Sequence, residues 1–201
     1  MAAPRYPWPR VSETIGPEDC RADRDLPGDI RTIERIVAHY IEHKRPRLAA
    51  FLKWYSRMSL REAIENAAYA RTPRGGKHSH QWRLPRRASE KAQAALERED
   101  LGRCRTFAEL HAAVERAIGG IDKVGVLMIY DTALRLGAFL GLEPALVSLH
   151  AGTREGAAAL GIDRSRDAVR PDEIPAPFRA LRPHEIEDCL CIYKAQLKRL
   201  R

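Results

Sequence analysis

Histidine, aspartate and arginine are the side chains that could do chemistry in this chain, and they gather in a few places. Residues 71–89 read RTPRGGKHSHQWRLPRRAS: six cations, Arg71, Arg74, Lys77, Arg83, Arg86 and Arg87, with His78, His80 and Trp82 and no carboxylate. Cations neutralise phosphates and release counterions, and an indole ring offers a base a stacking platform. The stretch is therefore a candidate nucleic-acid contact; the plainer alternative is a solvated charged loop. A second group is Asp131 with Arg135, four residues apart and so on one helix face. A structural ion pair accounts for that spacing, and a buried carboxylate could instead orient a histidine from elsewhere. A third is His150, followed by Gly152, Thr153 and Arg154. There an extended segment feeds a helix start, where free amides can hold an anion, although an ordinary cap at Thr153 explains the pattern as well.

His78, His80, Asp131 and His150 are also the groups suited to proton transfer. Together with Arg83 and Arg135 they make the enzyme alternative, one acting on a phosphate-containing or other anionic substrate. That alternative requires them to converge. Along an extended loop, His78 and His80 point to opposite sides unless the chain turns. Cys189 and Cys191, near His184, do not converge on a helix, and no zinc-type spacing is present. The sequence alone therefore assigns no metal and no cofactor.

The elements that must position these groups are helices. Ile30, Ile33, Ile36, Val37, Tyr40 and Ile41 form a stripe over a helix from about Asp29 to Lys44. Others are expected after Pro46, from Ser59 to about Ala70, and from about Glu90 to Glu99 with Ser89 as its cap. Further ones run from Thr106 to Ile118, from Val126 to Leu140, from Thr153 to Leu160, and from Pro183 to the end. Ser59 with Glu62, and Thr106 with Glu109, have capping-box spacing. Gly141 suits a C-terminal cap. Residues 144–149 read as a short strand or link, and 162–182 as a loop. The fold expected is mainly α, a compact bundle-like arrangement of about seven or eight helices. Residues 1–27, rich in proline, are expected to be irregular, and 28–201 to form one helical domain with 71–89 as a boundary between two lobes.

The stretch 107–140, FAELHAAVERAIGGIDKVGVLMIYDTALRLGAFL, resembles a helix-hairpin-helix unit, a module with which many DNA-repair proteins hold the phosphate backbone. The resemblance rests on two apolar helices joined by Ile118-Gly119-Gly120-Ile121, with Ala133 inside the second. It covers about 30 residues of the chain. It implies a non-specific phosphate contact through the turn amides, with Gly120, Lys123 and Gly125 as the residues concerned. Asp122 departs from the pattern, standing where a second turn glycine is expected; a carboxylate there repels phosphate, and Lys123 and Gly125 are left to compensate.

Composition agrees with this direction. The 201 residues carry 35 Lys and Arg, seven of them lysines, against 27 acidic residues, for a net charge of +8. Arginine gives planar, two-pronged hydrogen bonds to phosphate that lysine cannot. The same charge also serves solubility. Four cysteines at irregular spacing are not a disulfide framework, and no run is long enough for a membrane span. The expectation is a cytoplasmic accessory protein that binds DNA or RNA without catalysis and has no membrane partner. A protein-interaction module is the further alternative, and it would need an exposed apolar patch.

Overall fold

The computed structural model describes residues 30–200. The expected irregular segment 1–27, Cys20 within it and the Asp29 start of the first helix lie outside the described residues.

Among the described residues the chain is mainly α, with nine α-helices in compact packing. The first, α1 (Ile33–His43), begins where Thr32 accepts a hydrogen bond from the Arg35 amide, 3.3 Å. Next comes α2 (Arg45–Tyr55), then α3 (Leu60–Ala68). The expected capping box is present at the head of α3: Ser59 and Glu62 each bind the other's amide. A cap of this kind contributes about 1 kcal/mol.

Helix α4 spans Arg86–Leu96 and opens at Pro85, so the expected start at Glu90 is corrected. Proline's fixed φ suits a helix entry. Ser89 is inside the helix and fully buried, and it caps nothing. Helix α5 (Phe107–Ile118) begins at Thr106, which accepts from the Glu109 amide. The expected box is half formed, because Glu109 turns to the Arg105 amide instead. Helix α6 (Val126–Leu140) ends at Gly141 in the left-handed conformation, φ +72°, as its glycine allows.

Beyond α6, the strands β1 (Val147–Ser148) and β2 (Ala168–Val169) pair antiparallel. The loop expected at 162–182 thus contains β2 and two short 3-10 segments. Between the strands lies α7 (Ala151–Ala159), whose cap position is His150. Thr153, expected to be the cap, is inside the helix. The last expected helix is broken at Tyr193 into α8 (Pro183–Ile192) and α9 (Lys194–Arg199). Tyr193 is fully buried, and its hydroxyl shares a 2.7 Å hydrogen bond with His39 Nδ1 of α1.

Two apolar cores result. α2 to α6 enclose one, with Tyr55, Leu96, Leu110, Ile118 and Leu136 at its centre. α1, the strand pair and α7 to α9 enclose the other, around Ile36, Phe178, Ile186 and Leu190. Each such side chain contributes about 1.5–3 kcal/mol on burial. α1 joins the second core across the whole chain length, and Tyr40 donates to Asp188 at 3.0 Å. A small third cluster of Leu84, Ala88 and Met128 has Ile121 and Val124 packed on it. Among the described residues no helix is long and apolar enough to cross a membrane. Cys104 and Cys189 are free thiols.

Candidate functional site

Residues 71–89 form an ordered element. Arg71 and Lys77 pair as an isolated bridge, Thr72 and Gly76 close the turn, and Gly75 takes φ +84°. The segment is anchored at its start by the His78 amide on Ala70 O, 2.7 Å. A single 3-10 turn, Ser79–Gln81, follows. That turn answers the question left open by the spacing of the histidines. It brings the two rings to one side, with centroids 5.0 Å apart.

The turn also separates the element into two faces. Inward go His78, His80 and Gln81, toward α6. Gln81 Nε2 donates to Asp131 Oδ2 at 2.5 Å, and Gln81 Oε1 accepts from Arg135 Nη2 at 2.9 Å. Arg135 also reaches Asp131 Oδ2 at 3.5 Å, and His80 Nδ1 lies 3.6 Å from the same oxygen. One ligand atom from each of His78, His80 and Asp131 fits within a 4.8 Å span. Burial would raise the Asp131 carboxyl, but the neighbouring His80 and Arg135 outweigh it and hold the group well below its ordinary range. His78 is lowered to about 3, first by burial and then by Arg135, so its ring is neutral. Arg135 is 2% exposed, and among the described residues its Nε and Nη1 have no hydrogen-bond partner. A buried guanidinium is costly unless paired. The ion pair read from the Asp131 and Arg135 spacing is thus present, with Gln81 bridging it.

His150 is placed on the other core's side of this cluster. Its ring packs on Tyr130, the residue before Asp131, with centroids 4.8 Å apart. Its Nδ1 is 3.7 Å from Glu187 Oε1 of α8, and Thr153 Oγ1 donates to the same oxygen at 2.5 Å. Burial pushes the Glu187 carboxyl up to about 8, with Asp188 adding to the rise. Burial also lowers His150. Ala151, next in the chain, has φ +31°, a strained value for a residue with a side chain. A polar seam therefore runs from the loop through α6 to α7 and α8. Glu187 belongs to this seam, and sequence reasoning did not single it out. In the sequence it is one of three carboxylates within α8, with Glu185 and Asp188, and nothing in the pattern sets it apart.

The expected anion group is used internally. Thr153 is occupied by Glu187, and Arg154 binds Leu149 O at 2.7 Å and Asp167 at 2.9 Å. A side chain on Gly152 would meet Cys191 Sγ at 2.7 Å, so this helix start is covered by α8. A shallow depression of about 480 Å³ between α7 and α9 holds the Lys198–Glu155 ion pair and none of these groups.

Outward from the loop go Arg74, Trp82, Arg83, Arg86 and Arg87, all exposed. Trp82 is 55% exposed, and the Arg83 guanidinium lies over its ring, 4.6 Å from the centroid. Arg86 pairs with Glu90 at the surface. The other two cations turn to the protein: Arg71 to Glu65 at 2.7 Å, and Lys77 to Leu84 O. The turn between α5 and α6 is also exposed. Lys123 takes φ +69° and lies 3.9 Å from Asp122. Among the described residues, Gly125 precedes α6 with no side-chain cap, and nothing lies within 4 Å of a Cβ placed on Gly120 or Gly125.

These features define a mainly helical protein with a buried polar seam beneath a basic surface element. Comparison with known protein families, with curated proteins and with solved structures finds no match to this chain.

Proposed function

We propose that this protein binds nucleic acid through a composite surface made by the outer face of 71–89 and the glycine turn at 119–125. One observation carries the reading. The two segments lie some forty residues apart in sequence, yet Leu84 and Ala88 pack against Met128 with Ile121 and Val124. That contact brings the backbone carrying Arg83, Arg86 and Arg87, close in sequence to Leu84 and Ala88, toward the turn that carries Lys123, and so supports the reading. A backbone-tracking surface needs cations held at one place on a rigid support, with an aromatic ring where a base can stack. Trp82 supplies the ring and Arg83 extends it. The uncapped start of α6 adds amides with a preference for negative charge.

The test is fluorescence anisotropy with labelled single-stranded DNA, duplex DNA and RNA over a salt series. Trp82→Ala is expected to weaken single-strand binding by about tenfold, the loss of one stacked base. Affinity should fall steeply with salt. Wild-type affinity in the double variant Trp82→Ala/Arg83→Ala at low salt would overturn the reading.

A second reading is favoured by the meeting of His78, His80 and Asp131: an enzyme acting on a phosphate-containing substrate. Convergence of such groups is what that alternative requires. His150, its fourth candidate, is bound up with Glu187 and Tyr130 instead. Cleavage of the same labelled probes, read on a denaturing gel and lost in Asp131→Asn, would support it; intact probes would refute it.

A further inference from the structure

We infer that His78, His80 and Asp131 form a binding site for one divalent first-row transition-metal ion. The inference goes beyond nucleic-acid binding and does not rest on it. Two imidazoles and one carboxylate are borderline ligands, suited to zinc, iron, cobalt or manganese and poorly suited to calcium or magnesium. Three protein ligands leave coordination positions open for water or a substrate atom, as catalytic sites do and closed structural sites do not.

The geometry supports it at each position. The 3-10 turn at Ser79–Gln81 aims both rings at α6, and the three ligand atoms already span no more than 4.8 Å. Around an ion bound at ordinary lengths such atoms lie about 3.4 Å apart, a difference small side-chain rotations can supply. The contacts from Gln81, Arg135 and His80 all fall on Asp131 Oδ2. A carboxylate has a second oxygen and further lone pairs with which to bind the ion. Gln81 then acts as a positioning residue, fixing the carboxylate through Oδ2 as outer hydrogen bonds fix metal-bound carboxylates. The His80 and Asp131 side chains are 23% and 13% exposed, so an ion can reach them from solvent. Arg135 opposes the ion by its charge, and its Nη2 is held by Gln81 Oε1.

The experiment uses the full chain, stripped with chelator and titrated with Zn²⁺ by calorimetry and with Co²⁺ by visible absorption. The variants are His80→Gln and Asp131→Asn, each close in shape to the native residue and each checked for helical circular dichroism. One equivalent of metal is expected, with d–d bands for Co²⁺. Each variant should lose at least about tenfold in affinity. Should either variant fold poorly, His78→Gln in the folded chain takes its place. Binding of equal strength in wild type and variants, or no stoichiometric binding in wild type, overturns the inference. Metal binding in a protein that ignores nucleic acid would leave the inference standing and remove the proposed function. The reverse result would do the opposite.

Discussion

At the residue scale the seam joins groups whose protonation opposes one another. Glu187 is faced by Thr153 of α7 and His150 at its cap, by Asp188 on its own helix, by Asp131 of α6 and by His80 of the loop. Its carboxyl is raised from 4.5 to about 8, so between those values the folded chain keeps a proton that the unfolded chain has lost. Stability must then fall as pH rises through that window and level off above it. His78, His150 and His184 are all lowered by burial. Each takes up its proton at a lower pH in the folded chain than in the unfolded one, so as pH falls below about 6.5 they remove stability. The two effects together place greatest stability in mildly acidic to neutral solution. Glu187→Gln isolates the carboxyl, because a carboxamide oxygen still accepts from Thr153. Thermal melts between about pH 5 and pH 9 should show the wild type losing stability toward the alkaline end. The variant should stay flatter and melt at least about 3 °C above wild type at the alkaline limit. Parallel profiles for the two proteins would mean that Glu187 ionises normally.

At the element scale, close helix packing depends on glycine at one position in particular. A Cβ on Gly156 would fall on the carbonyl oxygen of Leu190, so α7 meets α8 backbone to backbone. Gly156→Ala should destabilise by about 2–3 kcal/mol, the usual cost of overpacking a rigid contact. Gly120→Ala is the control: it faces open space at ordinary φ and should be neutral or slightly stabilising. Chemical denaturation measures both, and equal stability of the two variants would refute the packing argument. The same element explains what could be read from the chain beforehand. Helices α3, α5 and α6 were legible because their caps and breakers act within four residues: Ser59 with Glu62, Thr106, and Gly141. The start of α4 was not, because Pro85 reads as a breaker until its position at a helix entry is known. The role of Thr153 was not, because its hydroxyl answers to Glu187 on another helix. His78, His80 and Asp131 were legible as chemistry but not as a cluster. Their meeting depends on one 3-10 turn and on a packing contact some fifty residues along the chain.

At the scale of the whole molecule the question is whether net charge or its placement governs binding. The chain carries +8, and a uniformly positive body attracts any polyanion weakly. The proposed surface requires more, because cations held on a supported patch release counterions together. Arg74, Arg83, Arg86 and Arg87 are on that patch; Arg164, Arg170, Arg179 and Arg199 are equally exposed and belong to the half that builds the second core. Replacing either set of four by alanine lowers the net charge from +8 to +4. The two variants are therefore matched in overall field and differ only in place. For duplex DNA the plot of log affinity against log salt should lose about 3.6 in slope for the first set, close to one counterion per lost phosphate contact. The second set should change the slope by less than about 1, since distant charges are screened beyond roughly 10 Å. Equal slopes in the two variants would make binding a property of bulk charge and leave the outer face of 71–89 without a role.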